Sequence, residues 1–567
     1  MAMEFIDRLA ADRAPRSYRR AFFVLVTAVA GITGLLIWTG AAFQADMGWD
    51  PVIMLEAAAR GQQGQMAHVD YLSPVGLLPT WLVSLGLRLS GGTADALADA
   101  PALALAPLAL YAWWLTRRRF SAWLSLGATL YLAGLITATR PLPFGMLPYT
   151  LEFSHASYAM AYNRLGWALL SLLVLQQFLP PDGAGSRSAL RAEDFGSGLI
   201  CGLLFLTKVN YALAAVGVMV VSLALFRRSR AQWLAFAAGA AILPAILLVG
   251  TRFQAGAWFR EIAYLGRVNP LADRLSRMAE LALNNATPML VVVGGYIILR
   301  PLLQLRSPLG QMSPWYVAPG LTLAGLACGL CVLTLNAQVS EVPLFALTLL
   351  LLAEHAARRL TARDRSEHAL RLRHRVTLGL ALLLGAGTFC SDAASIVWPA
   401  IRGRHMRAMI PAGCTVQSPT LGKLLLPPQR YEESDPAKVT PKILAAAAPV
   451  TPYQYAVVVN DGLTLLAAQT DAGSRIMTFD LTNPFPFALR RPYPRGGSLW
   501  WAWNTFSREA YPPAAELFRD VTHLMVPKAP VLQSGEVAVL QAIYRTDLQE
   551  RFQPVAESTF WILLRHN

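Results

Sequence analysis

Charged residues are scarce in this chain of 567 residues, at 15% of the total, and such a composition excludes most soluble globular proteins. Hydrophobic residues make up 55% of the sequence, and the mean hydropathy is +0.41. About eleven apolar runs are long enough to cross a hydrocarbon core of roughly 30 Å. They lie near residues 21–40, 72–90, 100–116, 120–138, 164–180, 197–226, 232–250, 287–304, 315–335, 342–357 and 376–398. The composition therefore predicts a polytopic α-helical membrane protein.

Cysteine is also rare, with only five residues, of which Cys414 alone lies outside the apolar runs. A lone cysteine excludes a disulfide bond within the C-terminal part of the chain. Cys328 and Cys331 have the spacing of a redox pair, but inside an apolar run we interpret them as small packing residues.

Acidic residues are fewer than basic ones, and the formal net charge is +15. In a soluble domain this excess would indicate a nucleic-acid partner, but here much of it lies in short loops, where the positive-inside rule predicts the cytoplasm. Three basic segments, 8–20, 227–230 and 358–375, are therefore predicted to be cytoplasmic. The N-terminus is then inside, and the loop 41–71 and everything after about residue 399 are outside. The expected partner is the lipid bilayer and not nucleic acid.

The topology of residues 91–196 has two alternatives. Simple alternation of spans places Arg117, Arg118 and Arg119 outside, against the positive-inside rule. Either one of these segments does not cross fully, or the run 197–226 is a broken pair of short helices. The first run is longer than a usual signal-peptide core, so we expect it to be a span that is retained.

Two domains are predicted, a transmembrane domain of residues 1–399 and an exported domain of residues 400–567. Apolar spans are absent from the second part, and prolines become frequent. Strands are predicted at 455–460, 475–480, 523–527 and 559–564, and helices at 463–470 and 513–518. Because strands and helices alternate, we expect a C-terminal periplasmic α/β domain.

A loop from residue 481 to residue 503 is rich in proline and aromatic residues, and it ends with Trp500, Trp501 and Trp503. Long loops that carry rigid aromatic side chains commonly bind a ligand. The alternative is an aromatic belt that packs the domain on the membrane surface.

The first outward loop contains two carboxylates, Asp46 and Asp50, which share one face if the loop begins with a helical turn. A carboxylate at this place can act as a general base or hold a divalent cation. The alternative is that both residues belong to a solvated rim. An amphipathic segment from Glu56 to Gly61 and a proline-containing entry into the next span, 73–76, follow in the same loop.

This order of elements resembles the GT-C superfamily of integral-membrane glycosyltransferases, which includes protein-mannosylating and lipid A aminoarabinose-transferring enzymes. In that superfamily, a catalytic acidic residue follows the first span, and a juxtamembrane helix and a small-residue entry into the second span come next. The matching positions here are Asp46, residues 57–61, and residues 70–76, which begin at Asp70. Members often carry two adjacent acids, whereas Met47 follows Asp46 here, so the choice between Asp46 and Asp50 stays open.

Two further segments, 162–167 and 202–211, resemble GT-C elements, and the resemblance covers about the first 300 residues. Lys208 interrupts an apolar run, and a charge inside the membrane, which costs roughly 3 kcal/mol, is a functional hypothesis by default. It can bind the phosphate of a lipid donor, with Asn210 orienting it. The alternative is a lysine that extends to the membrane interface.

Other candidate substrate contacts come from polar residues between the spans. Arg164, which follows Glu152, His155 and Asn163, is a second phosphate ligand if its cluster is outside and part of a cytoplasmic cap if it is inside. Glu261 lies on an amphipathic stretch within 251–286 that is predicted to be an interfacial helix. Asn336, Gln338 and Glu341 are expected at the same outer surface, where the alternative is a solvated turn.

The leading interpretation is an inverting transferase in a bacterial inner membrane. It would take a sugar from a polyprenyl-phosphate donor to a periplasmic glycan, lipid or protein acceptor. Asp46 would deprotonate the acceptor, and Lys208 and Arg164 would stabilise the departing phosphate. No cofactor is certain, and Mg²⁺ or Mn²⁺ is a possible one. No nucleotide-binding fingerprint is present, as expected for a lipid donor.

Two other functions remain open from the sequence. A transporter or flippase of lipid-linked saccharides would need an ionisable pathway, and apart from Lys208 the spans carry few such groups. A non-catalytic assembly protein would bind polysaccharide or a partner through the aromatic loop, and it would lose its function on deletion of 400–567 but not on Asp46→Asn.

Overall fold

The structure is a computed structural model of the chain. It describes residues 16–41, 49–138, 158, 161–181, 187–304, 316–336, 342–363, 373, 375–381, 390, 392–397, 399–401, 414–422, 424, 435–445, 450–451, 454–531 and 534–567. Among the predicted site residues, Asp46, Gln338 and Glu341 lie outside these ranges, as do Glu152 and His155.

Helices form nearly all of the regular structure up to residue 363. They are α1 (Arg16–Thr39), α2 (Asp50–Gln62), α3 (Leu77–Leu89), α4 (Ala96–Thr116), α5 (Ala122–Thr137), α6 (Ala161–Phe178), α7 (Arg187–Thr207), α8 (Val209–Leu225), α9 (Arg230–Gly250), α10 (Ala255–Val268), α11 (Leu271–Asn284), α12 (Ala286–Leu303), α13 (Val317–Asn336) and α14 (Pro343–Arg363). Five of them, α1, α4, α9, α12 and α13, are long and apolar enough to cross a membrane. The predicted helical membrane architecture is present.

One end of the helical bundle is held by buried arginines, and we call it the arginine end. The side chains of Arg118 and Arg119 pair with Glu193 at 2.5 and 2.7 Å, and Arg228 pairs with Asp194 at 2.6 Å. Arg358 donates to the main-chain oxygen of Arg119 at 2.8 Å. Arg118, Arg119 and Arg228 therefore lie at one end of the bundle, which agrees with the positive-inside rule and not with simple alternation of spans.

Helix α3 explains the difference, since it begins and ends at the opposite end of the bundle. The amide of Gly76, just before α3, donates to the oxygen of Thr207, where α7 ends. After α3, Asp95 accepts a hydrogen bond from the amide of Ala41, which follows α1. With 13 residues, α3 is only about 20 Å long, which is shorter than a hydrocarbon core of roughly 30 Å.

The apolar run 197–226 is a helical hairpin in the structure, made of α7 and α8. Lys208 alone separates the two helices, with an extended backbone (φ −171°, ψ 139°). Both arms reach the same side chain, since Gln177 bonds to Ser197 of α7 and to Ser222 of α8. Lys208 is therefore the apex of the hairpin, and we call this end of the bundle the Lys208 end.

The C-terminal part contains a four-stranded sheet with helices around it. Its elements are α15 (Pro436–Ala445), α16 (Tyr455–Gln469), β1 (Ile476–Thr478), α17 (Phe485–Leu489), α18 (Ala514–Leu517), β2 (His523–Pro527), α19 (Ser534–Ile543), α20 (Arg545–Arg551), β3 (Phe552–Glu557) and β4 (Trp561–His566). The strand order is β1-β2-β4-β3; β1 pairs parallel to β2, and the other two pairs are antiparallel.

Most predicted elements of this part are confirmed. The strand at 523–527 matches β2, and the predictions at 475–480, 559–564 and 513–518 overlap β1, β4 and α18. The predicted strand at 455–460 is wrong because these residues form the first half of α16. Apolar residues continue through Leu463 and Leu466, and the whole segment buries a helical face against Phe485 and Trp561.

The C-terminal part packs directly on the Lys208 end. Buried residues of α2 and α3 share one hydrophobic core with α16 and β4. A main-chain seam crosses this contact: Leu72 donates to Gly497 at 2.9 Å, and Leu499 donates to Leu72 at 3.1 Å. All five cysteines lie in described segments, and none is in a disulfide.

Gly76→Ala should lower the melting temperature of the detergent-purified protein by several degrees. The added methyl group would collide with the main-chain oxygen of Leu206, and over-packing of this kind costs about 1–3 kcal/mol. Gly61→Ala, in an open position on α2, is the matched control and should leave stability unchanged or raise it. Equal melting temperatures for the two variants would contradict the close packing at Gly76.

Cysteine labelling tests whether α3 crosses the membrane. In a variant without native cysteines, Arg88→Cys in the last turn of α3 and Arg495→Cys in the C-terminal part should react with an impermeant maleimide from the same side. Arg227→Cys at the arginine end should react only from the other side; all three positions are exposed. Labelling of positions 88 and 227 from one side would show that α3 crosses.

Candidate functional site

A cavity of about 410 Å³ opens at the Lys208 end, and its volume is in the range of ligand pockets. Five parts of the chain form its walls. These are the loop 68–76, the apex of the α7–α8 hairpin, the helices α10 and α11, the end of α13 (residues 334–336), and residues 500–504 of the C-terminal part. We call it the Lys208 cavity.

The ammonium group of Lys208 is the central charge of this cavity. It lies 5.1 Å from the centre of the Tyr162 ring, in a cation–π contact. The side chain is half-buried, and among the described residues no carboxylate lies within ion-pair distance of it. A partly desolvated cation of this kind favours an anionic ligand.

The loop 73–76 packs against the end of α7 and thereby fixes the position of Lys208 in the cavity. The backbone of Gly76 approaches Leu206 and Thr207 so closely that no side chain fits at this position. On the other flank, the side-chain amide of Asn210 donates to the oxygen of Leu335 and to Asn336 Oδ1 at 2.8 and 3.0 Å. The apex is therefore held between the loop and the end of α13, and Asn210 lines the cavity while its amide is engaged.

Asp50 is the first residue of α2. It is close enough to Tyr162 to interact with it electrostatically, and the ring of Tyr162 is also the one that the Lys208 ammonium group contacts. Burial raises the pKa of Asp50 to about 7. A carboxyl group with such a pKa can take up and release a proton at neutral pH, as a general base must.

Glu261 of α10 lies on the cavity wall and is buried. One carboxylate oxygen accepts a hydrogen bond from the main-chain amide of Ser73 at 2.7 Å, and the other lies 3.0 Å from His68 Nδ1. The imidazole ring of His68 stacks on Trp258, with 4.8 Å between ring centres. Sequence reasoning did not single out His68 as a site residue, because its partner is 193 positions away in the chain.

Three predicted site residues of the described part, Asp50, Asp70 and Arg164, do not line the cavity. Asp70 accepts the amide of Met66 at 2.8 Å, and its main-chain oxygen accepts that of Gly496 at 2.5 Å, so it closes the loop against the C-terminal part. Arg164 is buried in the bundle, 3.7 Å from Asp392.

The guanidinium group of Arg60 holds the outward loop to the C-terminal part. It is sandwiched between the rings of Tyr71 and Tyr493, at 4.8 and 4.9 Å. It also donates to Glu56 at 2.8 Å and to the main-chain oxygen of Pro494 at 2.6 Å. Burial raises the pKa of Glu56 to about 7, and the charge of Arg60 opposes this shift.

The aromatic loop divides its tryptophans between the core and the cavity. Trp501 is buried and packs on Phe506, whereas Trp500 and Trp503 line the Lys208 cavity. Asn504 connects the loop to the end of α10, since its main-chain oxygen accepts a hydrogen bond from the side-chain amide of Asn269 at 3.0 Å.

The described residues contain no group of three or more His, Cys, Asp or Glu side chains placed to hold a metal ion. Asp46, the partner of Asp50 in the predicted cation site, lies outside the described ranges.

Comparisons with known proteins give distant structural neighbours. No family model and no curated protein matches the chain. ArnT from Cupriavidus metallidurans, solved bound to undecaprenyl phosphate, is similar with 13% identity and a TM-score of 0.44 over 96% of this chain and 97% of ArnT.

Two more solved structures are similar to this chain. The arabinofuranosyltransferase AftD from Mycobacteria has 14% identity and a TM-score of 0.36, over 96% of this chain and 40% of AftD. The oligosaccharyltransferase of Archaeoglobus fulgidus has 13% identity and a TM-score of 0.36, over 88% of this chain and 67% of that one. These neighbours are GT-C glycosyltransferases, the superfamily that the sequence resembles.

Proposed function

We propose that this chain is a membrane glycosyltransferase that transfers a sugar from a polyprenyl-phosphate donor to an acceptor. One observation carries the proposal: the Lys208 ammonium group faces a ligand-sized cavity with no described carboxylate to neutralise it. A phosphate group is the anion that fits both this charge and a site built at the end of a bilayer helix hairpin.

The surface of α8 supports a lipid-linked donor. Leu213 lines the cavity, and Val216 and Val220, which follow it along α8, continue the same helical face. These three side chains are 52%, 59% and 60% exposed, so an apolar strip leads from the cavity toward the arginine end. A polyprenyl chain can lie along this strip while its phosphate group stays at Lys208.

The reaction that suits this geometry is an inverting displacement at the anomeric carbon. The acceptor hydroxyl attacks, its proton goes to a carboxylate, and the bond between the anomeric carbon and the phosphate oxygen breaks. Negative charge then grows on the departing polyprenyl phosphate, where Lys208 stabilises it. We take Asp50 as the general base, because its carboxyl group interacts with Tyr162, the ring that Lys208 contacts, and because burial raises its pKa to about 7.

Orientation and acceptor follow as further proposals. With the arginine end in the cytoplasm, as the positive-inside rule requires, the Lys208 cavity and the C-terminal domain 400–567 are periplasmic in a bacterial inner membrane. The acceptor is a glycan, a lipid or a protein that enters beside Trp500 and Trp503. A divalent cation, Mg²⁺ or Mn²⁺, held by Asp46 and Asp50, is the alternative source of positive charge at the phosphate.

Sugar transfer from radiolabelled polyprenyl-phosphate sugars by purified protein tests the proposal. We expect Lys208→Gln and Asp50→Asn each to reduce the rate at least about a hundredfold, the usual effect of removing one transition-state group. Asp46→Asn is measured in parallel, and a larger loss with this variant would identify Asp46 as the base.

Lys438→Gln, at an exposed lysine of α15, is the matched control and should keep full activity. The assay is run in EDTA and again with Mg²⁺ or Mn²⁺. Activity in EDTA would show that Lys208 stabilises the charge of the departing phosphate without a metal ion. Activity only with Mg²⁺ or Mn²⁺ would show that the cation stabilises this charge. Absence of transfer from every donor, with saccharide still crossing liposomes, would favour a transporter instead.

The pH dependence of transfer separates the two candidate bases. If Asp50 is the base, the rate should rise about tenfold per pH unit below pH 7 and level off above it, because only the ionised carboxylate accepts the proton. An aspartate with the ordinary pKa of about 4 would give a flat profile above pH 5.5. Initial rates between pH 5 and 9, with melting temperatures at each pH, distinguish these results.

A further inference from the structure

His68 holds a backbone conformation that is costly for a residue with a side chain. Its φ is +69°, in the left-handed region, and its amide donates to the oxygen of Tyr71 at 3.0 Å. Residues other than glycine persist in this region only where their surroundings impose it, and such positions cluster at functional sites. The turn 66–71 thus delivers the imidazole ring to the Lys208 cavity.

The ring of His68 has a fixed orientation. Trp258 stacks on one face, at an interplanar angle of 14°, and Glu261 lies 3.0 Å from Nδ1. Since Glu261 also accepts the amide of Ser73, both of its oxygens act as acceptors and His68 Nδ1 carries a proton. Glu261 therefore acts as a positioning residue for the imidazole.

The other ring nitrogen, Nε2, is buried and has no hydrogen-bond partner within the part of the chain that the structure describes. His68 is 7% exposed, and it lines the same cavity as Lys208. A buried polar atom without a partner costs about 1–3 kcal/mol, which a ligand atom at this place would recover. The orphaned nitrogen therefore points to a ligand.

The charges around His68 indicate whether the ligand atom at Nε2 is a hydrogen-bond donor or an anionic acceptor. Glu261 is 4% exposed, and among the described residues its only ion-pair partner is His68. Buried carboxylates are normally paired with a cation, and an anionic ligand at Nε2 would favour the imidazolium form of His68, which supplies that cation and donates from both ring nitrogens. The cavity wall also contains Lys208, Arg274 and Arg277, against the single further carboxylate of Asp273.

We propose that His68, oriented by Glu261, is a second phosphate ligand of the Lys208 cavity. Its Nε2–H group donates to a phosphate oxygen of the lipid-linked substrate, and the ammonium group of Lys208 binds the same phosphate. The assignment rests on the function proposed above. It makes the site selective for a phosphorylated lipid over the free alcohol, since the alcohol lacks the second charged contact.

A binding experiment on two lipids tests this assignment. Dissociation constants for undecaprenyl phosphate and undecaprenol are measured with the full-length protein in nanodiscs, in the wild type, His68→Gln and Lys208→Gln. A hydrogen bond from a charged donor is worth about tenfold to a hundredfold in affinity. We expect His68→Gln to weaken phosphate-lipid binding by this factor and to leave alcohol binding unchanged.

Controls separate the contact from packing. If His68→Gln folds poorly, His68→Asn takes its place, because asparagine tolerates the left-handed backbone. Its side chain is too short to reach the ligand, so it should show the loss of phosphate-lipid binding that is expected for His68→Gln. Glu261→Gln should weaken binding of the phosphate lipid alone. His523→Gln, at a buried histidine of β2 outside the cavity, should bind both lipids as the wild type does.

Each other result has a definite meaning. Equal losses for the two lipids would reduce His68 to a packing role and overturn the assignment. Unchanged binding in His68→Gln and His68→Asn, with a loss in Lys208→Gln, would overturn it while the proposed function stands. A wild type that binds undecaprenyl phosphate no better than undecaprenol would overturn the proposed function itself.

Discussion

Burial of the Arg60 guanidinium group is the constraint on which the Lys208 end of the molecule depends. A charge that is 2% exposed has to be surrounded by acceptors and aromatic faces, and Arg60 takes them from both parts of the chain. Glu56 comes from its own helix, Tyr71 from the outward loop, and Tyr493 and Pro494 from the C-terminal part. The loop 63–76 is thereby held between two bodies that are distant in sequence.

The order of that loop determines the cavity. Once Tyr71 is held by Arg60, His68 and Gly76 follow at fixed distances along the backbone, one facing Glu261 and the other seated on the hairpin apex. The apex carries Lys208, and its position decides where in the cavity the ammonium group of this lysine lies. The cavity is thus a product of packing between the two parts of the chain, and neither part contains all of its walls.

Local signals in the sequence predicted those features that one segment decides alone. A lysine in an apolar run marked Lys208, and a short continuous apolar run marked β2. Features that depend on remote partners were not predictable. The first half of α16 has strand-like composition, and only its packing against Phe485 and Trp561 shows the helix. The His68–Glu261 pair has no local signal. The basic residues 117–119 left a broken pair of helices over 197–226 as one of two alternatives, and the contacts of Gln177 with both helices show that break.

The seam between Leu72 and residues 497–499 consists of main-chain hydrogen bonds. Amide and carbonyl groups are common to nearly all residue types, so this attachment does not depend on which side chains flank it. During divergence, the side chains along this seam could therefore change while the main-chain hydrogen bonds between the two parts were inherited unchanged. A fold joined in this way can alter the rim of its cavity by substitution, without a new interface having to evolve first.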